Sequence, residues 1–245
     1  MKLSAPVYIL KKRAKALKKD NSISMIEALN EVAVSEGFSS WSLLHSKLED
    51  LIPQRKEDVL EYLNPGDLML IAARPGLGKT TFTLEIILQA AKLKRPSYFF
   101  SLEYRHKDIA SRVADIDETL GAFGDYLKFD FSDEISSDYI IEKTKHHAQR
   151  NMVIAIDYLQ LLDQARSKPD LQKQVEKLKE YAHHVGCIIL FISQVDRSFE
   201  ESAREVPELK DVRMPNPIDL KLFNKNLFLH DGKMTFKNSR SFTID

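Results

Sequence analysis

The sequence predicts an α/β fold with a mostly parallel central sheet, preceded by a small all-helical module, and three observations carry that prediction. From about Leu60, short apolar runs alternate with longer helical stretches, the pattern left by strands buried on both faces and joined by crossover helices. A glycine-rich loop links the first of those runs to the first of those helices. Residues 1–52, by contrast, carry helical periodicity and no strand-like run.

Composition narrows the possibilities further. With 245 residues, 43% of them hydrophobic and 29% charged, the chain has the size and core for one such domain and an appendage. Lys+Arg and Asp+Glu both number 36, so no net field draws the chain toward nucleic acid or an anionic membrane, and any such affinity needs a local patch. The single Cys187 lies in an apolar run, which excludes a disulfide framework and a Cys-based zinc site. No apolar segment has the length of a signal-peptide core or a membrane span, so the expected chain is cytoplasmic and without a membrane partner.

Taken in order, the first helix is expected over Pro6–Lys19, with Pro in its first turn. The second opens with Ser24 and Glu27 in capping-box spacing and stops at Gly37. The third starts at Ser39 or Ser40 and presents Trp41, Leu44 and Leu48 on one stripe, with Trp41 read as core. Pro53 marks the boundary, giving a helical module at 1–52 and an α/β domain at 53–245. Expected strands are Leu68–Ala72, Tyr98–Leu102, Leu127–Phe131, Met152–Ile156 and Ile188–Ile192. Between them fall helices at Lys79–Leu93, which reads as buried all round, and at Lys107–Leu120, Asp138–Arg150 and Leu171–Val185. Leu227–Leu229, Lys233–Phe236 and Ser241–Ile244, separated by Asp231-Gly232 and Asn238-Ser239, predict antiparallel hairpins at one sheet edge.

The segment Ala73-Arg74-Pro75-Gly76-Leu77-Gly78-Lys79-Thr80 has the strand-loop-helix context of a phosphate-binding loop. Successive backbone N–H groups and a helix N-terminus face the phosphates there, and Gly76 and Gly78 let the main chain approach without Cβ clashes. Lys79 brings a mobile positive charge, and the Thr80 hydroxyl suits Mg²⁺, which prefers oxygen ligands shared with phosphate. Met152-Val-Ile-Ala-Ile-Asp157 is an apolar strand ending in Asp. Such a residue caps the next turn as often as it holds a metal, and the upstream loop tips the balance toward metal. Glu103 ends a neighbouring run, where it either orients and deprotonates a water or caps a helix. Gln194 ends another, where it either senses a phosphate or makes a turn hydrogen bond.

Four stretches, Ala72-Ala-Arg-Pro-Gly-Leu-Gly-Lys-Thr-Thr-Phe82, Phe100-Ser-Leu-Glu103, Ile156-Asp-Tyr-Leu-Gln-Leu161 and Ser193-Gln-Val-Asp-Arg-Ser198, resemble the bacterial replicative helicases of DnaB type in wording and order. The resemblance covers roughly Asn64 to Arg213. It implies a RecA-like P-loop NTPase fold and an ATP-hydrolysing motor using ATP, Mg²⁺ and single-stranded DNA. By the same resemblance Arg74, Pro75, Gly76, Leu77, Gly78, Lys79, Thr80 and Thr81 bind nucleotide, and Thr80 and Asp157 hold the metal. Glu103 is implied as the base and Gln194 as the γ-phosphate sensor, with Lys79 the third catalytic group. Lys237 and Arg240 are the counterparts of a basic pair that completes a neighbouring subunit's site in a homo-oligomer, although their spacing has one extra residue. Arg204, Lys210 and Arg213 fall where the family has a DNA-facing loop. The segment Glu57–Leu63 stands where the family has a linker helix, and the match does not extend to it. That departure keeps open a second expectation, an ATP-dependent regulator or partner-loading ATPase without unwinding activity.

Seven Lys/Arg precede the first acid, Asp20. They form either a solvated helix face or, if they cluster, a surface for nucleic acid or a protein partner. His146-His147 and His183-His184 are read as surface or partly buried side chains, because adjacent helix positions point about 100° apart and cannot readily serve one ion.

Overall fold

The structure, a computed structural model, describes residues 3–5, 7–49, 52–104, 106–116, 124–159, 162, 170–202, 204–214 and 216–237. The chain divides into two compact units, Met1–Pro53 and Gln54–Asp245.

The first unit holds α1 (Val7–Asn21), α2 (Met25–Ser35) and α3 (Trp41–Glu49). A capping box starts α2: the Glu27 N–H donates to Ser24 Oγ at 3.2 Å and the Ser24 N–H to Glu27 Oε2 at 2.8 Å. Gly37 ends it at φ +88°, where the N–H groups of Gly37 and Phe38 donate back to Val34 and Ala33. Leu10 and Ala14 of α1 bury against Ala28 and Val32 of α2, while Ala33, Phe38 and Leu44 form a second small cluster. Trp41 is half-buried and packs on both, its backbone N–H held by Asn30 Oδ1 at 2.9 Å.

The second unit is built on a seven-stranded sheet. Its strands are β1 (Leu68–Ala73), β2 (Ser97–Ser101), β3 (Leu127–Asp130), β4 (Val153–Asp157), β5 (Ile188–Gln194), β6 (Lys225–His230) and β7 (Lys233–Lys237). They lie in the order β3-β2-β4-β5-β1-β6-β7, all parallel except β7. The helices are α4 (Val59–Tyr62), α5 (Lys79–Lys92), α6 (His106–Ile116), α7 (Ser137–Thr144) and α8 (Leu171–Val185). Alternation along β1 separates two cores: Met69 and Ile71 pack with α5 and α6, whereas Leu68, Leu70 and Ala72 pack with α7 and α8.

Several expectations change in detail. The C-terminal hairpin is present between β6 and β7, its turn at Asp231-Gly232 with both residues at positive φ, but β6 itself runs parallel to β1. Ser241–Ile244 lies outside the described residues. Helix α5 is not buried all round, because Thr81, Glu85 and Gln89 recur every four residues as a half-buried stripe. That stripe is used by polar contacts: Lys56 Nζ donates to Glu85 at 2.5 Å, and Gln89 Nε2 donates to the Glu57 carbonyl at 2.7 Å. The helix expected to reach Arg150 closes at Thr144, whose hydroxyl bonds back to the Ile140 carbonyl at 2.8 Å, and continues only as a 3-10 turn over Lys145–His147.

At the entry to the sheet, Asp67 is buried with its carboxylate surrounded by donors. It accepts from the Asn64 N–H at 2.8 Å and from the Asn224 amide, and faces Lys225 Nζ at 3.7 Å. The Lys225 ammonium lies 3.3 Å from the Tyr62 ring centroid, and Asn224 Oδ1 accepts from the Leu68 N–H at 2.7 Å. One carboxylate thereby fixes the start of β6 beside β1 and holds the end of α4. Asp67→Ala leaves the buried Lys225 charge uncompensated, so the free energy of unfolding falls by about 3–5 kcal/mol, measured by urea denaturation with an unchanged slope.

Candidate functional site

Because β2, β4, β5 and β1 are adjacent and parallel, their C-terminal ends bring the segments that follow them to one edge. Asp157 closes β4 beside Ser101, Gln194 closes β5 beside Ala73, and Glu103 lies two residues past β2. The loop from Arg74 to Gly78 leaves β1 at the same edge and opens directly into α5. Within it Gly76 and Gly78 sit at φ +80° and +77°, and a Cβ on either would meet no protein atom within 4 Å. Left-handed backbone, rather than crowding inside the protein, is what demands glycine there.

Lys79 and Thr80, the first residues of α5, are buried, and the Thr80 hydroxyl donates to Asp157 Oδ2 at 3.0 Å. Asp157 is 0% exposed, and its other oxygen, Oδ1, is one of the buried acceptors that find no donor among the described residues. Burial, reinforced by the negative charge of Glu103, pushes the Asp157 carboxyl up to about 7, against the Thr80 hydrogen bond and the charges of Lys79 and Arg112. Among the described residues no cluster of three or more His, Cys, Asp or Glu could hold a metal alone. Thr80 Oγ1 and the undonated Asp157 oxygen nonetheless form the hard, all-oxygen pair that a magnesium ion takes when phosphate and water complete its shell.

Arg112 is a member of this edge that the sequence reading missed. It sits on α6 with its guanidinium 4.9 Å from the Tyr104 ring centroid and Nη1 3.5 Å from Thr81 Oγ1. No motif spacing points to it, since it reaches the edge only through the packing of α6 on α5.

The guanidinium of Arg74, expected among the nucleotide-binding residues, is directed elsewhere. Its Nε donates to Glu200 at 2.7 Å and its Nη1 to the Val195 carbonyl at 3.0 Å. Pro75, Gly76, Leu77 and Gly78 stay exposed, while Thr81 is half-buried. The segment after β5 is clamped along its length. The Val195 N–H donates to the Ala73 carbonyl, Arg213 N–H to Gln194, and Asp196 N–H to Asp211.

The three basic residues of that segment differ in their placement. Arg204 forks onto Asp211 with contacts of 2.6 and 2.7 Å, reaches Glu208 at 3.3 Å and lies over the Phe199 ring. Its charge is matched inside the loop, so it braces 196–213 rather than standing ready for phosphate. Lys210 is exposed, with Glu208 at 3.2 Å, and Arg213 is exposed with its backbone tied to Gln194. Lys237 ends β7, and Arg240 lies outside the described residues.

The family model for the DnaB-like helicase C terminal domain matches residues 54–122 and 126–220. The chain belongs to this family. A replicative DNA helicase DnaB from Leifsonia xyli subsp. xyli is 30% identical over 194 residues, covering 66% of this chain and 42% of that protein. The chain thus spans less than half the length of this DnaB relative. In fold it is similar to a DnaB-like replicative helicase studied with its interactions with primase, with a TM-score of 0.58 at 17% identity over 91% of this chain and 66% of that one. It is likewise similar to a KaiC-like protein from the hyperthermophilic archaeon Pyrococcus horikoshii, with a TM-score of 0.53 at 18% identity over 72% and 81%. All four stretches with DnaB-like wording fall inside the matched residues.

Two outcomes follow from this geometry. Because folding raises the Asp157 pKa, the folded chain binds more protons than the unfolded one between about pH 4 and about pH 7, and stability falls as pH rises through that window. Asp157→Asn removes this part of the slope in thermal melts made without divalent cation. The Arg74–Glu200 contact, half open to water, yields a coupling of about 0.5–1 kcal/mol in a double-mutant cycle of Arg74→Ala and Glu200→Ala followed by urea unfolding.

Proposed function

We propose that the second unit is the ATP-hydrolysing motor of a DnaB-type DNA helicase, responsive to single-stranded DNA. The observation that carries the reading is the Thr80–Asp157 contact with its undonated carboxylate oxygen, on the same sheet edge as Glu103 and Gln194. In this reading the backbone N–H groups of 76–81 and the Lys79 ammonium bind the β- and γ-phosphates. Thr80 and Asp157 hold Mg²⁺, which when bound supplies charge neutralisation and in-line positioning of the phosphates.

Glu103 orients a water and takes its proton as the water oxygen bonds to the γ-phosphorus. The bond from that phosphorus to the β–γ bridging oxygen breaks, giving ADP and phosphate. Asp157 serves as the anionic ligand while Glu103 stays the base, a division that their different burial supports. Gln194 reports the γ-phosphate to the segment it begins, where Lys210 and Arg213 offer charge to a DNA backbone. Lys237 and Arg240 act on the site of a neighbouring copy in a homo-oligomer.

Steady-state ATP hydrolysis with and without single-stranded DNA at low salt tests the reading. Hydrolysis rises several-fold with DNA, and Glu103→Gln lowers kcat by about 10²–10⁴ while ATP binding persists. Lys79→Ala loses binding and turnover together. Hydrolysis that is lost in both variants but indifferent to DNA would move the assignment to a partner-loading ATPase.

A further inference from the structure

The first unit presents a charge pattern that the motor reading does not use. Helix α1 carries Lys11, Lys12, Lys15, Lys18 and Lys19, and at about 100° per residue these five fall within an arc of about 120°. All but the half-buried Lys11 are exposed. No other residue from Lys11 to Asn21 falls in that arc. The one carboxylate of the helix, Asp20, lies about 80° beyond its edge. Arg13 points to a different face, 3.8 Å from Glu36. The five lysines span about 12 Å along the helix axis.

The apolar side of α1 is already occupied by α2. Leu10 and Ala14 are fully buried against Ala28 and Val32 of α2, so from Ile9 to Asn21 the helix has no free apolar face to lay into a membrane. A protein partner is also a poor match, because lysine is depleted from protein interfaces and from Lys11 to Asn21 the arc offers no aromatic or arginine anchor. Flexible ammonium groups are point charges that follow an irregular chain of phosphates without demanding fork geometry. Beside the arc, Lys11 Nζ lies 5.8 Å from the ring centroid of half-buried Trp41, which places an aromatic plane next to the row of charges. A basic row flanked by an aromatic is the combination that single strands use.

We propose that the lysine face of α1 is a docking surface for the phosphate backbone of single-stranded nucleic acid. The surface belongs to the helical module and stands independently of the ATP site.

The test is fluorescence anisotropy of a labelled oligothymidylate with the full chain, titrated from about 50 to about 200 mM salt. The triple variant Lys12→Gln/Lys15→Gln/Lys19→Gln weakens binding by about tenfold and lowers the slope of log affinity against log salt by about 2, from about 0.7 per phosphate contact. A control triple in the other unit, Lys94→Gln/Lys173→Gln/Lys233→Gln, keeps affinity within about twofold. Basal ATP hydrolysis without DNA stays at the parent rate in the α1 triple, which separates this surface from the motor site. The proposal is overturned if the α1 triple, melting at the parent temperature, binds like the parent or loses no more than the control. It is equally overturned if a duplex of the same length competes more strongly than the single strand.

Discussion

A buried carboxylate with one oxygen bonded and the other bare is the constraint around which the edge of this sheet is organised. Asp157 cannot be stable as an anion at the end of β4 unless something positive approaches it, and among the described residues the side chains supply only a Thr80 hydroxyl and the more distant charges of Lys79 and Arg112. The hydrogen bond from Thr80 also sets the position of α5. It pins the first turn of that helix to the central strand, so the glycine-rich loop is held at both ends, by β1 and by β4. The result is a rigid frame with a deficit of positive charge, the inverse of an ordinary stabilised core and the usual mark of a site built for a ligand.

From that frame a second set of contacts runs outward along β5. Ala73 and Gln194 are register partners, the next N–H returns to the Ala73 carbonyl, and Arg74 takes the Val195 carbonyl and Glu200. The loop that leaves β1 and the segment that leaves β5 are therefore tied together near the sheet. Farther out, Arg204 closes the segment on itself through Asp211 while Val195 bridges Val212. A residue such as Arg74, embedded in a phosphate-loop motif, here does its bonding sideways, which gives a change at the loop a direct path to Val195 and Glu200.

Periodicity and motif order made much of this legible. Apolar runs located five parallel strands because four of them are buried on both faces and the fifth, the edge strand β3, is partly buried throughout, and the loop, the terminal Asp and Gln194 fell where the sheet edge places them. What was hidden depends on contacts between elements distant in sequence. Arg112 has no local signature, and the burial that shifts Asp157 arises from β2, β4 and α5 together. The parallel partnership of β6 with β1 is set by Asp67 meeting Asn224 and Lys225, groups more than 150 residues apart. Resemblance alone places Arg204 in a DNA-facing loop, and its fork onto Asp211, seven residues away, has no spacing that sequence makes visible.

Net charge is a poor guide to local attraction. A total of zero over 245 residues suggests no attraction for a polyanion, yet seven Lys/Arg precede the first acid and five of them share one helical arc. At physiological ionic strength charges are screened beyond about 8 Å, so a phosphate near α1 responds chiefly to the charges within that distance. The sum over the chain is then the wrong variable, and the local arrangement is the right one. Composition could count the lysines, but only the burial of Leu10 and Ala14 against α2 shows which way the helix is turned and that its lysines face water. The same apolar packing that gives the module its core orients its charge.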